Sequence, residues 1–202
     1  MNVNKILFIG LSSVGDVVMT TPVLTSLQNK YPKALFDIVV DKRGIELYKN
    51  FPKLNKLYLK DKDKLLRGVP DLLLRLWKNR YDIIVDVRSD GLAYLQRAKK
   101  RYTKWFARSY GPHAVEELMG VIATLHGDEP LPHTSVWPTD FDREYAKKEI
   151  SVFKNTGLLL AISAGDSRKP EKTWTTDKFV DLLNKHKDDF DGVIFLGNSY
   201  EE

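Results

Sequence analysis

Residues Gly10-Leu11-Ser12-Ser13-Val14-Gly15-Asp16 place two glycines five positions apart, with two hydroxyls and a carboxylate between and beside them. They follow the apolar run Ile6–Ile9 and lead into Val17 and Val18. A glycine-rich turn between a strand and a helix holds phosphate when Lys and then Ser or Thr follow the second glycine. Asp16 and Val17 stand there instead, which reverses the charge and removes the magnesium-binding hydroxyl. A carboxylate at such a mouth repels phosphate but is well placed to accept a proton, which points to group transfer onto a hydroxyl. Ser12 and Ser13, with the backbone N–H groups of a helix N-terminus, can hold a hydroxylated or anionic ligand. Asp16 can act on that ligand as general base, and it can equally serve as the cap of the helix. Spacing alone leaves both roles open.

Other residue groups offer chemistry of less definite kind. Arg97, Lys99, Lys100, Arg101, Lys104 and Arg108 are interleaved with Tyr102, Trp105, Phe106 and Tyr110. Such a stretch suits a phosphorylated lipid-linked sugar or an anionic membrane surface, suits nucleic acid through phosphate contacts and stacking, or is a solvated helix end with aromatics facing the core. Lys42-Arg43, just after the second apolar run, stands where a loop meets a bound acceptor. The histidines at 113, 126, 133 and 186 lack metal-ligand spacing and none is read as a ligand.

The elements that must position these groups follow from the apolar pattern. Short runs at Ile6–Ile9, Leu35–Val40, Lys56–Leu59, Asp82–Val87, Leu158–Ser163 and Val193–Leu196 alternate with helical patterns. That alternation predicts an α/β chain with a parallel sheet, and runs apolar on both faces predict a sheet covered on both sides. The first helix starts at Thr21-Pro22, with Thr21 as N-cap, or at Asp16 with a kink at Pro22. Pro70–Trp77 forms a second, with Leu73, Leu74 and Trp77 on one side. His113–Leu125, Tyr145–Phe153 and a segment opened by Thr175-Thr176-Asp177 form three more. Pro130, Pro132 and Pro138 mark a break. The expected division is residues 1–137 as an N-terminal Rossmann-like domain, 138–156 as linker and connecting helix, and 157–202 as the start of a second such domain.

With 202 residues, 43% hydrophobic and 29% charged, the chain has the balance of an ordinary soluble protein. The net charge of +5 fits an anionic partner or serves solubility. The lack of cysteine excludes disulfides, thiolate metal sites and a Cys nucleophile. Met1–Lys5 runs straight into a strand without the apolar core of a signal peptide, and no stretch approaches the roughly 18 apolar residues of a membrane span. A cytoplasmic protein is expected.

Lys5 to Leu24, continuing through Leu27 to Tyr31-Pro32, resembles the N-terminus of the heptosyltransferase-type glycosyltransferases, glycosyltransferase family 9. Asp82-Ile-Ile-Val-Asp86-Val-Arg88 resembles that family's second prominent strand, and His113–Leu125 its helix opening with His and an acidic residue. Ile162–Gly165 through Lys172-Thr173-Trp174 resembles the start of its nucleotide-sugar domain. The resemblance implies a GT-B type enzyme of two Rossmann-like domains, inverting and needing neither metal nor cofactor. It would move a heptose or related sugar from a nucleotide-sugar, ADP-heptose, to a lipopolysaccharide-core-type acceptor.

Carried over residue by residue, the resemblance makes Asp16 the catalytic base. Ser12, Ser13, Gly15, Lys42 and Arg43 fall on the acceptor side, and Ser167, Lys172 and Thr173 on the donor phosphates. A cation such as Lys172 offsets the leaving group's growing charge. The implied partners are the nucleotide-sugar and a lipid-linked or phosphorylated saccharide, with peripheral contact at the anionic inner membrane and no nucleic acid. The loop Asp166–Glu171 is longer than the family's, and the family's distal glycine-rich segment has no counterpart before Glu202. An incomplete donor domain is therefore expected, with self-association through its open sheet. The alternative is a truncated, non-catalytic acceptor-binding module of the same family.

Overall fold

The computed structural model describes residues 2–60, 68–153, 157–163 and 173–197. The chain divides into two compact units, Met1–Thr139 and Asp140–Glu202. In the first unit, β1 (Lys5–Ile9), α1 (Val14–Lys30), β2 (Leu35–Val40), α2 (Ile45–Tyr48), β3 (Leu54–Leu59), α3 (Gly68–Trp77), β4 (Tyr81–Asp86) and β5 (Ala98–Thr103) are followed by α4 (Ala114–Met119) and α5 (Ala123–His126). Its strands form one parallel sheet in the order β3-β2-β1-β4-β5.

Side chains alternate across the pleat, so each central strand serves two cores. Ile6 and Phe8 of β1, Phe36, Ile38 and Val40 of β2, and Ile83 and Val85 of β4 meet Val17, Val23, Leu24 and Leu27 of α1. Leu118, Met119, Ile122 and Leu125 complete that face. Leu7, Ile9, Val39 and Ile84 point the other way, against Leu72 and Leu76 of α3 and against Leu92 and Ala93. Each such aliphatic or aromatic side chain contributes about 1.5–3 kcal/mol when fully buried. The sheet is covered on both faces, as the apolar runs require.

Three local readings are decided. Of the two starts open for the first helix, the one that continues past Pro22 holds: α1 begins at Val14, two residues before Asp16, and does not open at Thr21-Pro22. Proline removes the donor that Val18 O would receive, and the Thr21 hydroxyl supplies a replacement at 2.7 Å. Thr21 is thus a repair inside the helix, not its cap. In α3 the core side is Leu72 and Leu76, while Leu74 and Trp77 are exposed. The segment from His113 is interrupted: α4 ends at Met119, and Gly120–Ile122 makes a 3-10 turn before α5. The chain of Arg108 and Ser109 crosses there so closely that a Cβ on Gly120 would lie 2.6 Å from Arg108 O.

The basic stretch also reads differently. Ala98–Thr103 is an edge strand, not a helix end, and only Lys104–Phe106 coils briefly after it. Lysine and arginine along β5 protect an otherwise open edge from pairing with another chain. In the second unit, α6 (Asp140–Ile150) precedes β6 (Leu159–Ser163), α7 (Thr176–Lys185) and β7 (Gly192–Leu196), with β6 and β7 paired in parallel.

Candidate functional site

In a parallel open sheet the crevice for a ligand opens at the carboxyl ends of the strands, where the connections leave in opposite directions. Here that point lies between β1 and β4: the chain leaving β1 enters α1 on one face of the sheet, and the chain leaving β4 enters the 3-10 turn Leu92–Leu95 on the other face, beside α3. The loops Gly10–Ser13 and Val87–Asp90 flank it. Backbone bonds tie both loops to the sheet, Gly10 N–H to Val39 O at 2.9 Å and Val87 N–H to Ile9 O at 3.2 Å.

Ser13, with extended φ of −89° and ψ of 152°, is the N-cap of α1, and its hydroxyl oxygen accepts the Asp16 N–H at 3.3 Å. The same hydroxyl donates to Asp16 Oδ2 at 2.6 Å. The choice left open by spacing is thereby narrowed: the cap is Ser13, and Asp16 sits on the third helical residue. A carboxylate in the first turn is favoured by the helix dipole, by about 0.3–1 kcal/mol. Its Oδ1 has no protein partner among the described residues. Gly15 has nothing within 4 Å of where a Cβ would lie, so the helix tip beside Asp16 is bare. The first amides of a helix have no carbonyl a turn behind them and serve as donors to whatever binds there.

Lys42 and Arg43 lie at the same sheet edge, on the 3-10 turn that follows β2. Gly44 lets that turn seat against the sheet, since a Cβ there would be 2.6 Å from Val40 Cγ2 and 2.9 Å from Val17 Cγ2. Arg43 Nε reaches Asp41 Oδ1 at 4.0 Å and both basic side chains are exposed. Ser12, Ser13, Gly15, Asp16, Lys42 and Arg43 are therefore brought to one edge. Ser167 and Lys172 lie outside the described residues. Thr173 precedes α7 in the second unit.

Sequence reasoning assigned no role to the β4 side. Asp86 ends that strand fully buried, and its Oδ1 accepts the N–H of Arg88 at 2.9 Å and of Ser89 at 2.8 Å. Its Oδ2 has no partner among the described residues. Burial pushes this carboxyl upward in pKa, with Asp90 adding to it, against the pull of the two amides and Lys60. Ser89 takes φ of 61°, a conformation costly outside glycine, and its Oγ accepts Lys104 N–H at 3.1 Å. Asp90 binds Lys60 and, at 3.2 Å, Arg88 Nε. A carboxylate closing the apolar run Ile83–Val85 was the available signal for this rigid loop.

Two further groups are settled structurally. His126 is buried, with Nδ1 at 2.8 Å from Ser26 Oγ and Nε2 at 3.0 Å from Glu129 O. The carbonyl can only accept, so Nε2 carries the proton and the ring is a bridge between elements. Tyr48, wholly buried, shares a 2.7 Å hydrogen bond with Thr20, and burial raises its pKa.

No family model matches the chain. Over 203 residues it is 26% identical to lipopolysaccharide heptosyltransferase 3 of Escherichia coli K12, covering 84% of this chain and 56% of that protein. The resemblance to heptosyltransferase-type glycosyltransferases holds. The crystal structure of a glycosyl transferase family 9 protein from Veillonella parvula superposes with a TM-score of 0.78 at 19% identity, covering 100% of this chain and 65% of that one. An E. coli heptosyltransferase solved with ADP gives 0.65 at 20% identity, covering 98% and 69%. At such identities the likeness of structure is one of fold: a mixed α/β chain of the GT-B-like kind found in family 9. The chain spans 56% of the length of the curated heptosyltransferase.

Proposed function

We propose that this chain carries the acceptor side of a heptosyltransferase-type glycosyltransferase, moving a heptose or related sugar from a nucleotide-sugar to a lipopolysaccharide-core-type saccharide. The observation that carries the reading is Asp16. Its carboxylate is anchored through one oxygen by Ser13 at 2.6 Å, at a helix tip on the crevice edge. In the reaction the Oδ1 atom takes the proton of an acceptor hydroxyl. The resulting oxygen attacks the anomeric carbon from the face opposite the nucleotide diphosphate. The bond from that carbon to the phosphate oxygen breaks, the configuration inverts, and the nucleoside diphosphate leaves with the electron pair.

Lys42 and Arg43 fit a phosphorylated or acidic acceptor, and the bare tip at Gly15 allows its hydroxyl to approach. ADP-heptose is the donor to test, since a relative of like fold was solved with ADP. Lys172, Ser167 and Thr173 are the proposed partners of the donor's phosphates, and no metal or cofactor enters the reaction. The protein acts from the cytoplasmic side.

The test is transfer from ADP-heptose to a heptose-free core acceptor, followed by mass spectrometry of the product. A gain of one heptose by wild type, and none by Asp16→Ala that still melts cooperatively with only a small drop in melting temperature, is expected. Transfer by Asp16→Ala at the wild-type rate would overturn the reading.

A further inference from the structure

The short turn after β5 turns its rings outward: Trp105 and Phe106 of the basic stretch do not face the core, and are 62% and 80% exposed. On the turn Leu92–Leu95, Tyr94 is 45% exposed and lies nearly parallel to Trp105, with ring centres 5.4 Å apart and planes at 16°. Single exposed apolar residues are ordinary, but contiguous ones mark an interaction site.

Hydrogen bonds fix these rings in place. The Tyr94 hydroxyl lies 3.2 Å from Thr103 Oγ1, at the last residue of β5. Lys104 N–H donates to Ser89 Oγ at 3.1 Å, Ala107 N–H to Lys104 O at 3.2 Å, and Arg108 N–H to Gly120 O at 3.0 Å. Lys104 Nζ is paired with Glu117 Oε1 at 2.9 Å. The polar groups around the rings are thus engaged with protein, and the turn offers a ligand mainly ring surface. The Ser89 bond joins the turn to the β4 loop that flanks the crevice. Since β5 runs two strand spacings from β1, about 10 Å, the rings stand beside the Asp16 loop at the same end of the sheet, not over it.

We infer that Tyr94 and Trp105 form a stacking platform for a pyranose ring of the acceptor saccharide, a sugar further along the chain than the one whose hydroxyl meets Asp16. The inference rests on the transfer reading above. A pyranose presents a patch of weakly positive C–H groups on one face and carries its hydroxyls around the edge. The C–H patch meets the electron-rich face of the indole, and the hydroxyls stay in water. Two rings already stacked on each other have little freedom left to lose on binding. Other occupants fit less well. Three rings of about 150–250 Å² each fall short of the roughly 1,000 Å² that a stable protein interface buries. A nucleic-acid strand needs cations beside the stacking faces, and the Lys104 charge on this turn is paired with Glu117.

Calorimetry with a lipid-free core oligosaccharide and no donor isolates this contact from transfer. Wild type should bind, and Trp105→Ala should weaken binding about threefold to tenfold, the range of one aromatic stacking contact. Trp105→Phe keeps a ring and should stay within about twofold of wild type. Phe141→Ala removes a ring as exposed from the second unit and should change nothing. In the transfer assay the loss should appear as a raised acceptor KM with kcat nearly retained, because the platform touches no reacting atom. Equal binding by wild type and Trp105→Ala, or an equal loss from Phe141→Ala, would overturn the platform and leave the transfer reading standing. So would a loss of affinity for ADP or for a single-stranded oligonucleotide in Trp105→Ala while saccharide binding is intact. The transfer reading fails separately, through an active Asp16→Ala, and that result would leave the calorimetric comparison untouched.

Discussion

Replacing Asp16 by Asn separates the two roles proposed for this carboxylate. The amide keeps the shape and can still accept the Ser13 hydroxyl through its carbonyl oxygen, the contact now made at 2.6 Å. What stability it loses is the attraction of a charge to the helix N-terminus, about 0.3–1 kcal/mol. What chemistry it loses is the ability to take a proton, worth about 100-fold to 10,000-fold for a positioned general base. That range corresponds to roughly 3–5 kcal/mol of barrier, several times the stability change. Ser13→Ala should do the reverse. It removes the cap of α1, costing about 1 kcal/mol of stability, and leaves Asp16 charged though less well held. The assay is steady-state sugar transfer with kcat and KM resolved, alongside thermal melting of each variant. The expected pattern is a collapse of kcat with a nearly native melting curve for Asp16→Asn, and a lowered melting temperature with a milder kcat loss for Ser13→Ala. A fall in kcat of less than about tenfold for folded Asp16→Asn would refute the base assignment. So would activity losses that follow the melting temperatures of the two variants.

Three further outcomes follow from the packing. Gly44→Ala places a methyl carbon 2.6 Å from Val40 Cγ2 in a filled core, and should cost about 1–3 kcal/mol in urea unfolding while shifting the turn that carries Lys42 and Arg43. Asp82 accepts from Lys99 Nζ and from the N–H groups of Asn4 and Lys5, and the Lys99 bond above all holds its carboxyl below the usual range. Its contribution is therefore present above the ordinary aspartate value of about 4 and is lost as pH falls through the lowered one, so the stability gap between wild type and Asp82→Asn should shrink on acidification, read by melting across pH. Gln96→Leu removes two buried polar atoms that have no hydrogen-bond partner among the described residues and should raise stability by about 1–3 kcal/mol in the same unfolding assay.

What could be seen beforehand depended on whether a residue's own type fixed its surroundings. Ile6–Ile9 and Leu35–Val40 carry apolar side chains at nearly every position, and only a strand covered on both faces buries all of them, so β1 and β2 were legible. Ala98-Lys-Lys-Arg-Tyr-Thr has no such pattern: it is a strand because β4 offers a free edge, a fact about the neighbour rather than the segment. Proline at 22 ordinarily stops a helix, and the signal misleads here because the hydroxyl one residue earlier turns back onto the orphaned carbonyl of Val18. The candidate site divides in the same way. Ser13 and Asp16, three positions apart before an apolar helix, already contain the reciprocal cap; what spacing could not decide was which of them faces out. That is settled by the direction of one bond, Ser13 Oγ to Asp16 Oδ2, which fixes one carboxylate oxygen inside the cap. The proposed base is therefore the other oxygen, the one the cap does not use.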